Sequence, residues 1–268
     1  MAENIEQPTV AAFFDIDNTI MRGASIFHLA RGLFSRGILR ASDLANFAIA
    51  QGKFLTIGSE NMQDLARITE NALAFAKGRT VTEMNALCEE IFDEIMADKV
   101  WPGTVELAQA HKASGHEVWL VSAAPIELAN IISSKLGLTG AIGTISEIHH
   151  GRYTGRLQSE PMHGKQKAVA VSELAERRDL DLEHCFAYSD SNNDIPLLTQ
   201  VGNPVVINPD SGLRNHAQTM GWPIHDFRRE HLRKRYAVPA GATAIALIGA
   251  GAGIALAAAR NNKKSDPQ

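Results

Sequence analysis

The chain has 268 residues, enough for one large domain or a core carrying one insert. Its 45% hydrophobic and 21% charged residues are those of an ordinary globular protein, and a net charge of -4 gives no reason to expect nucleic acid as a partner. Cys88 and Cys185 lie in apolar periodic segments without metal-ligand spacing and read as buried thiols of a reducing compartment, while residues 1–6 lack the features of a secretory signal.

Val10 to Phe14 is an apolar run too short and too aromatic for a helix, so it reads as a buried strand. It ends in Asp15-Ile16-Asp17-Asn18-Thr19, at the kind of strand end where α/β sheets bind ligands. Side chains two apart on a strand face the same way, so both carboxylates can converge on one metal or reacting atom; a solvated turn is the competing reading. The pattern then becomes helical. Ile26, Leu29, Ala30, Leu33 and Phe34 have helical spacing, and helices fit Ser42 to Ala50 and Ser59 to Lys77, the second stopped by Gly78. Met84, Leu87, Cys88, Ile91, Phe92 and Ile95 repeat the spacing after a capping box of Thr80 and Glu83. Residues 21–100 are thus expected to form a helical insert, closed by Trp101-Pro102-Gly103.

An alternating pattern follows. A helix is expected at Thr104–Ala113, a strand at His116–Val121 ending at Ser122, a helix at Pro125–Leu136 and a strand at about Ala141–Ile148. Tyr153–Leu157 reads as part of a small antiparallel flap, Lys165–Arg178 as a helix, Cys185–Tyr188 as a strand and Pro204–Ile207 as the last short strand. Apolar strands separated by helices predict an α/β fold, a doubly wound parallel sheet covered on both faces, with residues 9–20 and 101–227 as its core.

The C-terminal region is different. Arg228, Arg229, Arg233, Lys234 and Arg235 make 228–235 a basic linker, and 236–259 is uncharged and rich in Ala and Gly. Such a run suffices to cross a bilayer core of roughly 30 Å as an apolar helix, with basic residues on both flanks and 260–268 as a polar tail. Gly249 and Gly253 would let two such helices approach closely, as in a homodimer. The expectation is a transmembrane tail anchor holding the body on the cytoplasmic side; the alternatives are a helix buried in an oligomer interface and an unstructured tail.

Three further positions fall where this layout places a site. Ser122 ends a strand and either offers a hydroxyl to an anion or caps the next helix. Lys165 and Lys167 open a helix, at the end where cations are unfavourable unless an anion is present. Asp190-Ser191-Asn192-Asn193-Asp194 follows an apolar strand as Asp15 does, and acids at two strand ends suit a hard cation such as Mg²⁺.

In this order the motifs resemble the haloacid dehalogenase superfamily, specifically its subfamily IB and the phosphoserine-phosphatase-like branch, over about residues 9 to 227. The resemblance implies a Rossmann-like core, a C1-type cap in 21–100, and a Mg²⁺-dependent phosphatase acting on a small phosphomonoester. It implies Asp15 as nucleophile and Asp17 as general acid/base, with Mg²⁺ on Asp15, the Asp17 backbone carbonyl and Asp190. Ser122 and Lys167 would hold the phosphoryl oxygens, with Lys165 as rival, and Asp194 and Asn193 would support them. A carbon–halogen substrate is disfavoured, since dehalogenases proper lack the second acid. The branch carries a cap Glu nine residues after the nucleophile that reads the substrate ammonium; here that position is Ala24. The expected substrate is therefore not securely phosphoserine. A lipid-phosphate or headgroup ester at a membrane surface and a catalytically idle tethered scaffold are the other readings.

Overall fold

Ala11–Phe14 form β1, and all four residues are buried because the strand is paired on both edges and covered on both faces. In the computed structural model, which describes residues 9–40 and 74–228, β1 lies parallel to β2 (Glu117–Pro125) and to β6 (Phe186–Ser189). With β3 (Gly140–Thr144), β7 (Asn203–Ile207) and β8 (Ile224–His225) they form one parallel sheet of six strands in the order β3-β2-β1-β6-β7-β8. The chain builds outward from β1 through β2 and β3, then from β6 through β7 and β8. The seam between β1 and β6 is thus the topological switch point, where a ligand crevice opens at the carboxyl ends.

One face of β1 explains much of the core. Ala11 and Phe13 pack with Val121, Ala187 and Val206 against Val171, Leu174, Leu197 and Leu213 from the helices on that side. On the other face Phe14 stacks on Tyr188 at 4.1 Å between ring centroids and meets His111 edge-on at 6.2 Å. Each such aromatic pair is worth about 0.5–1.5 kcal/mol beyond the area it buries. The helices are α1 (Ser25–Ser35), α2 (Val81–Ile91), α3 (Pro102–Ala113), α4 (Ile126–Lys135), α5 (Lys165–Arg178), α6 (Ile195–Leu198) and α7 (Ser211–Met220). The expected capping box opens α2: Thr80 Oγ1 accepts from Glu83 N, and Glu83 Oε2 accepts from Thr80 N at 2.7 Å. The segments on either side of residues 23–98 pair with each other: Arg22 N donates to Lys99 O and Trp101 N to Ile20 O, both at 2.8 Å.

Several expectations are corrected. Phe34 is 41% exposed; α1 instead buries Gly32, where a Cβ would lie 2.5 Å from Ile91 Cγ2, so the two helices approach by omitting a side chain. After α2 the helix widens into a π turn, Phe92–Met96, and the added residue moves burial from the expected Ile95 to Met96. The strand expected to end at Ser122 continues to Pro125, with a break in pairing register after Val121 and Thr144 Oγ1 donating to Ala123 O at 2.8 Å. The single strand expected at Ala141–Ile148 is two, because pairing passes from the main sheet to a hairpin of β4 (Ser146–His149) and β5 (Arg152–Leu157). His150 and Gly151 both have positive φ, +48° and +74°, the tight turn that fixes a two-residue hairpin. Ile224–His225 follows the strand expected to be last.

Both cysteines are buried and free, as expected. The Ser42–Ala50 helix, most of Ser59–Lys77, and all of 228–268 except Arg228 lie outside the described residues, including the apolar helix and tail anchor. The described end of the Ser59–Lys77 segment, Ala74–Ala76, is a 3-10 turn. Among the described residues no helix is long and apolar enough to cross a membrane.

Candidate active site

Asp15 is the first residue beyond β1, and its N–H donates to Tyr188 O at 2.9 Å, which fixes it on the β1–β6 seam. It is 5% exposed. The chain then turns tightly: Ile20 N and Met21 N both donate to Ile16 O, and Asn18 adopts φ +55° while its Oδ1 accepts from Gly23 N. The turn separates the surroundings of the two acids. Asp17 is half-buried, and its Oδ1 accepts from Ser25 N, in the first turn of α1, at 2.8 Å.

Across the seam, Lys167 projects from the first turn of α5, 4% exposed. Its Nζ donates to Asp15 Oδ1 at 2.6 Å and to Asp194 Oδ2 at 2.7 Å. Asp194 Oδ2 also accepts from Ser189 Oγ at 2.7 Å, and Ser189 Oγ from Ser191 N at 3.2 Å. A chain of hydrogen bonds therefore runs from the Asp190 loop through Asp194 and Lys167 to Asp15. Lys165 is exposed, so of the two candidate lysines Lys167 is the one brought to Asp15. Gly164 caps α5 with φ +53°, a conformation that glycine adopts without penalty, and stands against the Asn193 carbonyl.

Ser122 lies two residues past Leu120, the register partner of Phe14, and so at the same edge of the sheet. It is 1% exposed, and its Oγ accepts from Ala124 N at 3.1 Å. It is not a helix cap, since Pro125 holds that position for α4. Asn193 is half-buried in the turn before α6, its N–H donating to Ser191 Oγ. Asp190, half-buried, directly follows β6.

Charge is crowded here. Burial pushes the Asp15 carboxyl up to about 7 against the pull of Lys167, with the Asp194 and Asp17 charges adding to the rise. Burial also raises Asp17, though the Ser25 hydrogen bonds oppose it. Asp190 is raised well above the usual carboxylate range by burial and then by the charges of Asp15 and Asp194. Burial disfavours the Lys167 cation, but Asp15 and Asp194 together outweigh it and hold the proton on. Four carboxylates thus face one buried ammonium. Among the described residues no three or more His, Cys, Asp or Glu side chains converge as a metal-holding group by themselves. Two carboxylates, Asp15 and Asp190, with a backbone carbonyl and water are nonetheless an all-oxygen set suited to Mg²⁺, and the excess negative charge fits a divalent cation.

Several residues near the site were not anticipated. Ser189, the last residue of β6, holds Asp194 through its hydroxyl, and Ser25, the first residue of α1, holds Asp17 through its N–H; only Ser189 has a strand-end position beside an acid to mark it in sequence. His163 lies close enough to Lys167 for that charge, after burial, to lower its pKa. His28 Nε2 is 2.8 Å from Arg22 O, while its buried Nδ1 has no hydrogen-bond partner among the described residues. Asn208 and Asp210 reach the acidic loops from the end of β7. Asn-Pro-Asp before a helix reads in sequence only as a turn and cap.

A carboxylate at one strand end, a buried lysine and a second acidic loop across the switch point are the arrangement that the resemblance to the haloacid dehalogenase superfamily implies. The chain belongs to that family: the haloacid dehalogenase-like hydrolase family model matches residues 12–199. A Mycobacterium tuberculosis protein named phosphoserine phosphatase SerB1 is 49% identical over 256 residues, covering 96% of this chain and 82% of that protein. A solved Bordetella pertussis protein of unknown function superposes with a TM-score of 0.72 at 29% identity, over 81% of this chain and 99% of its own. A phosphoserine phosphatase solved as an analogue of its phospho-aspartyl intermediate shares the fold at TM-score 0.59 and 18% identity, over 83% of this chain and 97% of its own. The chain is a phosphatase of this family.

Proposed function

We propose that the chain is a Mg²⁺-dependent phosphomonoesterase that works through an aspartyl-phosphate on Asp15. The observation that carries this reading is the buried Lys167 ammonium held 2.6 Å from Asp15 Oδ1 and 2.7 Å from Asp194 Oδ2. It fixes one carboxylate oxygen of Asp15 and places a cation where phosphoryl oxygens would sit. Asp15 attacks phosphorus in line; the ester P–O bond breaks, and Asp17 gives its proton to the leaving alkoxide. Asp17 then takes a proton from water, whose oxygen attacks phosphorus and frees Asp15 and inorganic phosphate. The raised pKa of Asp17 suits the first, acidic role. Ser122 and Lys167 hold the non-bridging oxygens, Asp194 aims Lys167, and Asn193 lines the same loop. Asp15, the Asp17 carbonyl and Asp190 would hold Mg²⁺, which supplies the positive charge that lets a phosphate dianion approach an anionic nucleophile.

The substrate is a small phosphomonoester. The name of the mycobacterial relative points toward phosphoserine, but Ala24 offers no carboxylate to an ammonium. An unpaired ammonium there costs about 1–3 kcal/mol, so phosphoserine is expected to be outpaced by esters without that group. Hydrolysis of p-nitrophenyl phosphate should require Mg²⁺ and fall by at least about 10³-fold in Asp15→Asn. Turnover retained in that variant would refute the covalent route, and a catalytic efficiency on phosphoserine far above that on a panel of other esters would refute the substrate reading.

A further inference from the structure

The two acidic loops leave the neighbouring strands β1 and β6, which pair up to Phe14 and Tyr188, and Lys167 bridges Asp15 to Asp194 beyond that point. A second, short segment holds the backbone of both loops. Asn208 is the first residue past β7 and is 1% exposed with φ +46°, a left-handed conformation that Asn tolerates better than most residues. Its Nδ2 donates to Asn18 O at 2.9 Å, although β7 neighbours β6 and β8 and not β1. Its own N–H donates to His225 O at 2.8 Å, which pins it from the β8 side. Two residues on, Asp210 N donates to Asp190 O at 2.8 Å. Asp210 Oδ2 accepts from Asn192 N at 2.8 Å, while Oδ1 accepts from Leu213 N at 2.7 Å and starts α7. Pro209 between them is buried and has its φ fixed by its ring. The fit is close on the helix side too, since a Cβ on Gly212 would stand 2.9 Å from Asn192 Oδ1.

We propose that Asn208-Pro209-Asp210 is a clamp that positions the Asp17–Asn18 backbone and the Asp190 loop relative to each other, and so sets the affinity of the site for Mg²⁺. This rests on the reading that Asp15, the Asp17 carbonyl and Asp190 hold the ion. The Asn18 carbonyl held by Asn208 is one peptide beyond that of Asp17, and the Asp190 carbonyl held by Asp210 belongs to a ligand residue itself. Mg²⁺ demands near-octahedral oxygens at roughly 2.0–2.1 Å, so a drift of a few tenths of an ångström in either loop weakens binding. Residues that orient ligands in this way typically change metal affinity about 10–100-fold. Asn208 and Asp210 are positioning residues: the clamp touches neither the phosphoryl group nor the reacting atoms.

The test uses the full chain and two variants. Asn208→Gly keeps the backbone conformation and removes the amide donor; Asp210→Ser keeps a helix cap and removes the second acceptor that holds Asn192. Mg²⁺ is titrated without substrate, reading the rise in melting temperature, and again with p-nitrophenyl phosphate, reading the concentration for half-maximal rate. Both midpoints should move up by about 10-fold or more in each variant, with kcat recovering at high Mg²⁺ and KM for the ester little changed. A purely structural role would lower the metal-free melting temperature and leave the midpoints in place, which overturns the clamp, as does a shift under twofold in either variant that folds. A parent chain with no response to Mg²⁺ in either readout overturns the metal reading as well, so the two failures are distinguishable.

Discussion

At the carboxyl ends of β1 and β6, Lys167 keeps its charge between Asp15 and Asp194, whereas on the α3 side of the same two strands His111 gives its charge up. His111 Nε2 lies 2.7 Å from the Tyr188 hydroxyl and its Nδ1 2.9 Å from His116 Nδ1, and burial, helped by His116, pushes its pKa down to about 4. Tyr188 belongs to both regions, since its carbonyl anchors Asp15 N and its hydroxyl meets His111. The contrast shows what burial permits. A group in partial burial without a counter-charge becomes neutral and serves stability, as His111 does. A group whose neighbours are carboxylates stays ionised at a cost that a reacting site tolerates and a packing site avoids.

The largest effect should come from removing the cation. Lys167→Met leaves Asp15 and Asp194 facing each other in a buried site, which costs about 3–5 kcal/mol when one partner of a buried pair is lost. Urea unfolding without Mg²⁺ should show the loss, and unchanged stability would mean the contact is not an ion pair. The neutral cluster predicts a smaller, pH-dependent effect. The folded state resists a proton that the unfolded chain accepts, so His111 contributes its full stability above about pH 6.5 and loses it as pH falls toward 4. Partial exposure of the ring reduces the amount to about 1–2 kcal/mol. His111→Phe should flatten the acid side of the stability profile over that window; an equally steep profile would contradict the assignment. The smallest effect adds a charge at the edge of the site. Ala24→Glu should raise kcat/KM for phosphoserine by about 10-fold relative to glycerol phosphate, and no change in that ratio would show that residue 24 does not face the leaving group.

Much of this was legible from residue order, because each acidic motif ends an apolar strand and the helices between them force those strands to be parallel. The Lys165–Arg178 helix appears with the expected bounds, and its Lys167 hydrogen-bonds Asp15 and Asp194. Helical pattern alone does not separate Lys165 from Lys167, since both lie in the first turn of α5; only the resemblance favours Lys167. Two residues along a helix turn the side chain by roughly 200°, so only one can enter the crevice, and which one depends on how the helix docks. The π turn that exchanges Ile95 for Met96 left no sequence signal, because both residues are apolar. The reach of Asn208 to Asn18 spans 190 positions and depends on strand order, which local patterning does not encode.

The central claim, that Asp15 carries the phosphoryl group, is tested most directly by acid-quenching the enzyme with Mg²⁺ and a rapidly turned-over phosphomonoester and mapping the phosphoryl label by mass spectrometry. The account predicts an acid-stable, hydroxylamine-labile phosphoryl group on the peptide that contains Asp15, absent from Asp15→Asn. A label on another residue, or none while Asp15→Asn still turns over, would contradict it.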